Sequence, residues 1–370
     1  MQLLPLLDVA SQIRLGAPLA WSIRDGNGKL LLARGHKVTD AQMLQALLER
    51  GMFVDAAELR AAQGRDAQPP KEGFFGRWRL SSARLNTLLT APPTELGGAL
   101  AEVADVLMAL ADRYPDKVLF QILRHDQSRL QAYGVSHSLH CAAVCCLTAR
   151  RLGWSDADRR TLVAAALSMN LSMIELQGRL AVQGMKPTPE QRDAIMAHPR
   201  KSVEMLEAAG VSDPLWLGAV AQHHERVDGT GYPRGRTDVA EFAQALQYVD
   251  VFAAKLAARS SRPALPPNQA AREIFTSAAG HPLVAALVKE FGIYPPGCFV
   301  RLASGEIAIV IHRGASVNTP VVACLTRPNG QPVMRPQRRE TVAKESAVVA
   351  TVAESDVMVR VPWESLYADD

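Results

Sequence analysis

The chain has 370 residues, of which 48% are apolar and 21% charged, with a formal net charge of +4. This length allows two or three domains, and the apolar fraction is typical of a globular protein with a sizeable core. Acidic and basic residues are interspersed without a run of five like charges, which argues against a nucleic-acid-binding arm. The five cysteines are odd in number and match no disulfide framework, so free thiols in a reducing compartment are expected.

Neither a leader nor a membrane span is predicted. The segment MQLLPLLDVASQIRLG lacks the basic start and long apolar stretch of a signal peptide. The longest apolar runs, such as LVAAAL at 162–167, are far shorter than the about 18 residues that a spanning helix needs. We therefore expect a cytoplasmic protein without a membrane partner.

Residues 1–63 predict a small α+β unit. PLAWSIRD and LLLARGHKV are typical of two strands joined by the glycine-rich turn GNGK. Thr39 is the predicted N-cap of the helix DAQMLQALLER, and Gly51 follows as its C-terminal stop. Residues 64–74, rich in glycine and proline, have the composition of a linker.

From 75 to 293 the pattern is helical. Apolar residues recur at three- and four-residue spacing, and polar or Gly/Pro breaks separate the segments. The sequence therefore predicts a mainly α protein with one all-helical domain. The predicted helices cover 95–113, 115–131, 135–152, 156–174, 189–208, 213–224, 239–259 and 267–290.

Residues 294–370 predict a small β-rich C-terminal module. CFVRLASGEIAIVIHR alternates like two strands around a turn at Ser304–Gly305. RPNG at 327–330 predicts a second turn, and AVVATVA and VMVRVP continue the strand-like pattern.

Histidines are scattered through the helical region rather than gathered in one compact motif. Imidazole is a common ligand of transition metals, and phosphate-ester hydrolysis commonly uses two metals about 3.5–4 Å apart. Ligands for two ions must come from several helices, because one helix face cannot surround both. The scatter suits such a site, although buried or surface histidines have the same spacing. These histidines are His125, His137, His140, His198, His223 and His224.

The loop after His223–His224 strengthens the interpretation as a ligand site. In the stretch Asp228–Gly229–Thr230–Gly231, the glycines allow backbone to pass close to a ligand. Tyr232 offers a flat face and a hydroxyl to a nucleobase, and Pro233 fixes the backbone beyond it. An ordinary helix-connecting turn is the alternative interpretation. Two candidates for phosphate contacts follow, Arg234 and Arg236.

The segment HHERVDGTGYPRG resembles the signature of the HD-GYP family, bacterial phosphodiesterases of the HD superfamily that open and hydrolyse cyclic di-GMP. The resemblance extends over roughly 130 to 290. YGVSHSLHCAAVCCLTARRLG is similar to the family's first histidine helix, and IMAHPRKSVEML to its His-Pro segment. LQYVDVFAAKLAARSSRPA resembles the segment with a late metal-binding aspartate and an Arg-Pro pair. GIYPPGCFVRLASGEIAIVI resembles a strand-rich extension often found after this domain, and residues 1–63 resemble, more weakly, a domain that frequently precedes it.

The resemblance implies an HD-type helical fold and cyclic di-GMP or a related nucleotide as ligand, with signalling proteins as further partners. It also implies a transition metal, iron or manganese, at reduced occupancy or absent. The metal ligands that it implies are His137, His198, His223, His224 and Asp250. The ligand-binding residues that it implies are Gly231, Tyr232, Pro233, Arg234 and Arg262.

The namesake His-Asp motif is where the chain departs from the family. The matching stretch is AALSMNLSMIEL, in which Met169 replaces the histidine and Asn170 the aspartate. Met173 replaces a lysine, and Tyr133 occupies a position where some members carry a glutamate for a third metal. The family's aspartate bridges two metals, whereas an amide is a neutral and weaker ligand and a thioether is too soft to replace imidazole.

Three hypotheses follow for the function. The first is a degenerate HD-GYP protein that senses a nucleotide or docks to partners with little or no hydrolysis. The second is an active phosphodiesterase with a reorganised metal site, and the third an interaction module that binds neither metal nor nucleotide. Four other residues near these positions could replace the missing ligands, but we expect ordinary roles for them. His140 is expected to be a core or surface histidine and Glu175 a solvated side chain. Cys141 and Cys145 are expected to be small core residues.

Overall fold

The computed structural model describes residues 3–13, 15–26, 28–56, 58–59, 73–91, 94–124, 130–359 and 361–367. His125 and nearly all of the predicted linker 64–74 lie outside these residues. The chain divides into two compact units, Met1–Gly73 and Phe74–Asp370. Among the described residues, no helix is both long enough and apolar enough to cross a bilayer.

The first unit is a four-stranded antiparallel sheet, in the order β1-β4-β2-β3, with a helix. The predicted strand pair around GNGK is present but short. Asp40, not the predicted Thr39, caps the helix, because its carboxylate accepts the Met43 N–H at 2.8 Å. Gly51 ends the helix as predicted, with a φ of 62°. The elements are β1 (Leu3–Pro5), β2 (Ile23–Arg24), β3 (Leu30–Leu32), α1 (Ala41–Glu49) and β4 (Phe53–Asp55).

The second unit begins with the helical array that the sequence predicts. Its helices share one apolar core, which extends into the sheet that follows. They are α2 (Phe74–Thr90), α3 (Leu96–Arg113), α4 (Pro115–Leu123), α5 (Tyr133–Arg151), α6 (Asp156–Ser168), α7 (Ile174–Val182), α8 (Pro189–Ala208), α9 (Pro214–Gln222), α10 (Glu241–Leu256), α11 (Pro267–Ser277) and α12 (Pro282–Phe291).

Helix α5 lies at the centre of the array, and nearly all of its side chains are buried. Small residues make this possible, because they let neighbouring helices come close. A Cβ at Gly134 would lie 2.7 Å from the carbonyl oxygen of Ile174 at the start of α7. A Cβ at Gly178 would lie 2.3 Å from the carbonyl oxygen of Gln131. The polar residues of this central helix therefore face the interior of the array.

Two predicted helices are interrupted. The helix predicted over 156–174 ends at Ser168, and Leu171–Met173 forms a short 3-10 turn before α7. The helix predicted over 267–290 is broken between α11 and α12, where Ala279 and Gly280 have φ angles of 48° and 75°. His281 then caps α12 by accepting the Leu283 N–H. Periodicity misses both breaks because apolar residues continue at helical spacing across them.

The C-terminal residues form a five-stranded antiparallel sheet in the order β8-β7-β6-β5-β9. The predicted turns at Ser304–Gly305 and at 327–330 are both present. The strand predicted for VMVRVP is wrong: its described residues form no strand and lie between two 3-10 turns, Glu354–Asp356 and Trp363–Tyr367. The strands are β5 (Phe299–Leu302), β6 (Ile307–His312), β7 (Val321–Thr326), β8 (Pro332–Glu340) and β9 (Val348–Val352).

Candidate functional site

Four helices, a 3-10 turn and two loops bring most of the predicted site residues together around one cleft of about 170 Å³. α5 supplies His137, α8 supplies His198, α10 supplies Asp250 and the segment after α9 supplies His224. His223 is fully buried next to His224 and does not line the cleft. Two groups of three side chains among the described residues have possible ligand atoms within 4.8 Å of one another: His198, His223 and His224, and separately His137, Cys141 and Asp250. The remaining cleft residues are Tyr133, Asn170, Met173, Gln177, Leu180, Ile195, Tyr232, Ala254 and Arg259.

The rings of His198 and His223 are oriented by backbone carbonyls. Nδ1 of His198 donates to the carbonyl oxygen of Ile195 at 2.6 Å, and Nδ1 of His223 donates to that of Val220 at 2.7 Å. Burial lowers the pKa of His198 to about 4 and lowers that of His223 as well, and the neighbouring His224 acts in the same direction. Both rings are therefore neutral at pH 7.

Each neutral ring consequently turns an Nε2 lone pair toward the other, and the two atoms are 3.1 Å apart. Two lone pairs that face each other repel, whereas a cation between them is bound by both. The separation is one that two nitrogens about 2.1 Å from the same ion can have. A carbonyl behind Nδ1 is also the usual support of a metal-binding histidine. The retained histidines therefore fit one transition-metal ion.

The second group is less suited to an ion. His137 Nε2 is 2.7 Å from Asp250 Oδ1, so the imidazole donates its proton to the carboxylate. Burial opposes ionisation of Asp250, but this hydrogen bond and the nearby imidazoles hold its pKa below its usual range. An ion at this position has to replace the proton that His137 and Asp250 share.

Cys141 lies beside His137 but is poorly placed as a ligand. Its Sγ is 3.5 Å from Nε2 and 3.9 Å from Nδ1 of His137. Nearly equal distances to both nitrogens show that the sulfur lies along the lone-pair direction of neither. Burial also raises the pKa of the Cys141 thiol well above its usual value, which disfavours the thiolate that binds metals.

The residues aligned with the namesake motif, Met169, Asn170 and Met173, have different surroundings in the structure. Met169 is fully buried in the apolar core of the helical array. Asn170 is 2% exposed and lines the cleft, and its Nδ2 has no hydrogen-bond partner among the described residues. Met173 lines the cleft with an apolar chain. This side of the cleft therefore offers an amide and a thioether, and no carboxylate.

The loop after α9 is held by a residue to which the sequence interpretation assigned no role. Glu225 is 1% exposed, and its carboxylate accepts the N–H groups of Arg234 at 2.7 Å and Arg236 at 2.9 Å. Gly231 packs against backbone, because a Cβ there would lie 2.4 Å from the Arg226 nitrogen. The adjacency of a glutamate to two histidines was the only sequence signal for this anchor.

Tyr232 is presented by this loop against the histidines. Its ring stacks on His224 with centroids 4.5 Å apart and planes 20° apart, and its N–H donates to the His224 carbonyl oxygen at 3.0 Å. Burial raises the pKa of Tyr232 above its usual value, so the hydroxyl stays protonated. Pro233 and Arg234 follow on the exposed surface of the loop.

Arg259, rather than the predicted Arg262, is the arginine that lines the cleft. Its guanidinium stands 4.6 Å over the Tyr133 ring and donates to the Tyr133 hydroxyl. Arg262 donates instead to the carbonyl oxygen of Ala254. Arg236 pairs with Asp238 through two hydrogen bonds, and the exposed Arg226 pairs with Asp228. Arg234 is exposed as well.

A family model described as "HD domain" matches residues 117–281. The Cyclic di-GMP phosphodiesterase PA4108 of Pseudomonas aeruginosa is 30% identical over 223 residues, which cover 56% of this chain and 53% of that protein. The 3'3'-cGAMP-specific phosphodiesterase 3 of Vibrio cholerae is 31% identical over 168 residues, 44% of this chain and 36% of the relative. The chain thus spans about half, or less, of the length of these relatives.

The structure of Bd1817, a HDG"Y"P protein from Bdellovibrio bacteriovorus, is similar in fold with a TM-score of 0.50 at 15% identity. The similarity covers 77% of this chain and 97% of that one. The helical array is therefore an HD domain. Its HHE and GYP residues and its similarity to these phosphodiesterases support the HD-GYP family.

Proposed function

We propose that this HD-GYP domain binds a cyclic dinucleotide, with cyclic di-GMP as the first candidate, and hydrolyses it little or not at all. It would then act as a nucleotide sensor or as a docking partner in cyclic di-GMP signalling. One observation carries the proposal: a buried amide, Asn170, stands at the position of the bridging carboxylate, opposite an intact histidine-and-tyrosine loop.

Impaired hydrolysis follows from the ligands that remain. The group His198, His223 and His224 is suited to one ion, iron or manganese, which when bound would supply positive charge for a phosphate. A second ion would need a bridging carboxylate, and Asn170 cannot provide the charge. Met173 adds no cation that could stabilise developing charge on the phosphate.

Nucleotide binding depends on groups that are still in place. The cleft of about 170 Å³ is smaller than the roughly 300–1,000 Å³ of pockets that enclose small molecules, so a cyclic dinucleotide would lie across its mouth. One face of Tyr232 packs on His224, which leaves the opposite face for a base. Arg259 within the cleft and Arg234 at the loop surface would contact phosphates.

An active phosphodiesterase with a reorganised metal site is the second candidate. The observation in its favour is that His137 and Asp250 line the same cleft as two members of the three-histidine group, within a donor set that includes a carboxylate. This candidate requires about two ions per chain, since two bound ions would together supply the Lewis-acid chemistry that phosphate-ester hydrolysis uses in such sites.

Calorimetry with cyclic di-GMP, together with chromatography of the same mixture, separates the candidates. We expect micromolar binding without a linear product. Tyr232→Ala should weaken binding by about tenfold or more, because stacking of a base on an aromatic ring contributes about 1–3 kcal/mol. The matched control is Tyr248→Ala, which removes a half-buried tyrosine of α10 outside the cleft lining.

Turnover that is abolished by His223→Ala would contradict the proposal and support the active enzyme. An absence of binding in both the wild type and Tyr248→Ala would leave the interaction module as the remaining hypothesis.

A further inference from the structure

A second pocket lies between the helical array and the C-terminal sheet, at the end of α4. Its volume is about 440 Å³, which falls in the range of roughly 300–1,000 Å³ that is typical of small-molecule sites. Its apolar walls come from the loop after α10, from the start of β5 and from the end of β9. We call it the interface pocket, with walls that include Leu123, Leu256, Leu265, Ile293 and Phe299.

Arg124 is the cationic residue in the wall of the interface pocket. Its side chain is only 11% exposed, and its guanidinium carbon stands 4.7 Å over the Phe299 ring. Its Nε and Nη1 atoms are buried and have no hydrogen-bond partner among the described residues. Buried donors of this kind are rare, because each loses its water without replacement. Arg124 therefore lines a pocket of ligand size with two guanidinium nitrogens that make no hydrogen bond among the described residues.

The neighbouring Glu354 indicates that a carboxylate is a suitable partner for the Arg124 guanidinium. Its Oε1 is 3.1 Å from Arg124 Nη1, an ion pair without hydrogen-bond geometry. The Glu354 side chain is 59% exposed and belongs to the 3-10 turn Glu354–Asp356 after β9. A carboxylate on an exposed turn is easily displaced, because water can solvate it. Asp356 lies at the same rim and is exposed, so its repulsion is screened.

We propose that the interface pocket binds a small carboxylic acid with an apolar body. The ligand's carboxylate takes the place of Glu354 at Arg124, and its apolar part fills the space between Leu256, Leu265 and Phe299. The pocket and the cleft share α10 and the loop that follows: Asp250 and Arg259 face the cleft, while Leu256 and Leu265 face the interface pocket. A bound acid thus contacts the segment that carries Arg259.

Calorimetry of the full chain with sodium octanoate tests the proposal. We expect saturable binding with one site per chain and a Kd on the order of 1 mM, as befits about ten non-hydrogen atoms. 1-Octanol, which has the same apolar body without the charge, should bind at least about tenfold more weakly. Arg124→Met should weaken octanoate binding by a similar factor and leave octanol binding unchanged.

Glu354→Gln provides the opposite variant. It changes an exposed side chain, so it keeps the fold even if Arg124→Met does not. Removing the competing carboxylate should tighten octanoate binding by about two- to fivefold. The proposal is overturned if neither the wild type nor Glu354→Gln saturates, if octanol binds as well as octanoate, or if octanoate affinity is the same in Glu354→Gln or in folded Arg124→Met as in the wild type.

Discussion

The two sides of the cleft differ in how many of the residues expected from the family resemblance are present. On the retained side, formed by His198, His223, His224, Glu225 and Tyr232, backbone hydrogen bonds hold the side chains or the loop that carries them. On the substituted side, formed by Met169, Asn170 and Met173, one side chain has joined the core and a buried amide nitrogen is without a partner in the described chain.

This difference separates two properties of the site: the geometry of the loop that would bind a ligand, and the charge that would hold a pair of metal ions. Hydrogen bonds to the backbone orient the rings of His198 and His223 and hold the loop of the retained side. The substituted side would have to supply the bridging charge, and its residues are neutral. The loop can therefore keep its geometry for a ligand without the metal pair whose absence we propose.

The largest expected effect comes from Gly231→Ala on the retained side. The new Cβ would lie 2.4–2.6 Å from backbone atoms of residues 224–226, so the loop has to move. Thermal or urea unfolding should show a loss of about 2–3 kcal/mol, and cyclic dinucleotide binding should disappear. Gly218→Ala on α9 is the control: its Cβ meets nothing within 4 Å, and it should be neutral or stabilising by about 0.5–1 kcal/mol. Equal effects of the two substitutions would refute the role given to Gly231.

Glu225→Ala should follow closely in size. It strips the backbone N–H groups of Arg234 and Arg236 of their buried acceptor, at a cost of about 2 kcal/mol in the free energy of unfolding. Glu204→Ala removes an exposed glutamate whose partner is Arg200, so urea unfolding should change by less than about 0.5 kcal/mol. Comparable losses in both variants would mean that Glu225 does not anchor the loop.

Asn170→Asp tests whether a carboxylate on the substituted side improves metal binding. A carboxylate in the cleft should tighten manganese binding by about tenfold or more, since it replaces a neutral ligand with a charged one. Asn86→Asp makes the same change on an exposed position of α2 and should leave metal affinity unaltered. Titration calorimetry with Mn²⁺ measures both. An unchanged affinity in Asn170→Asp would show that Asn170 does not occupy the ligand position.

His140→Ala should have the smallest effect on ligand and metal. His140 is buried one turn from His137, but it stacks on Trp78 with ring centroids 6.4 Å apart and is not a cleft residue. Cyclic dinucleotide and manganese affinities should stay within about twofold of the wild type. His137→Ala, which removes the partner of Asp250, should change metal affinity. The account fails at this point if the two alanine variants behave alike.

Patterns that depend on local chemistry were predictable from sequence. The helical array, the turns of the C-terminal sheet and the family all follow from periodicity, turn residues and the HHE and GYP segments. Asp40 in place of Thr39 as helix cap depends on a one-residue choice that both side chains can make. The breaks after Ser168 and at Ala279–Gly280 lie within apolar runs, so period alone does not reveal them.

Residue roles that depend on three-dimensional contacts were harder to predict from the sequence. Glu225 anchors the loop through two backbone groups nine and eleven residues away. Arg259 lines the cleft while Arg262, three residues on, donates to Ala254. In a loop no helical or strand period tells which arginine faces the ligand. Cys141, expected as an ordinary core residue, is buried as predicted but contacts His137.

Metal content measured on the sample that is also assayed for cyclic di-GMP cleavage tests the central claim most directly. Purified protein loaded with iron or manganese under reducing conditions should carry no more than about one ion per chain and form no linear product. About two ions per chain together with turnover that Asp250→Asn abolishes would contradict the claim that Met169 and Asn170 have removed the metal pair.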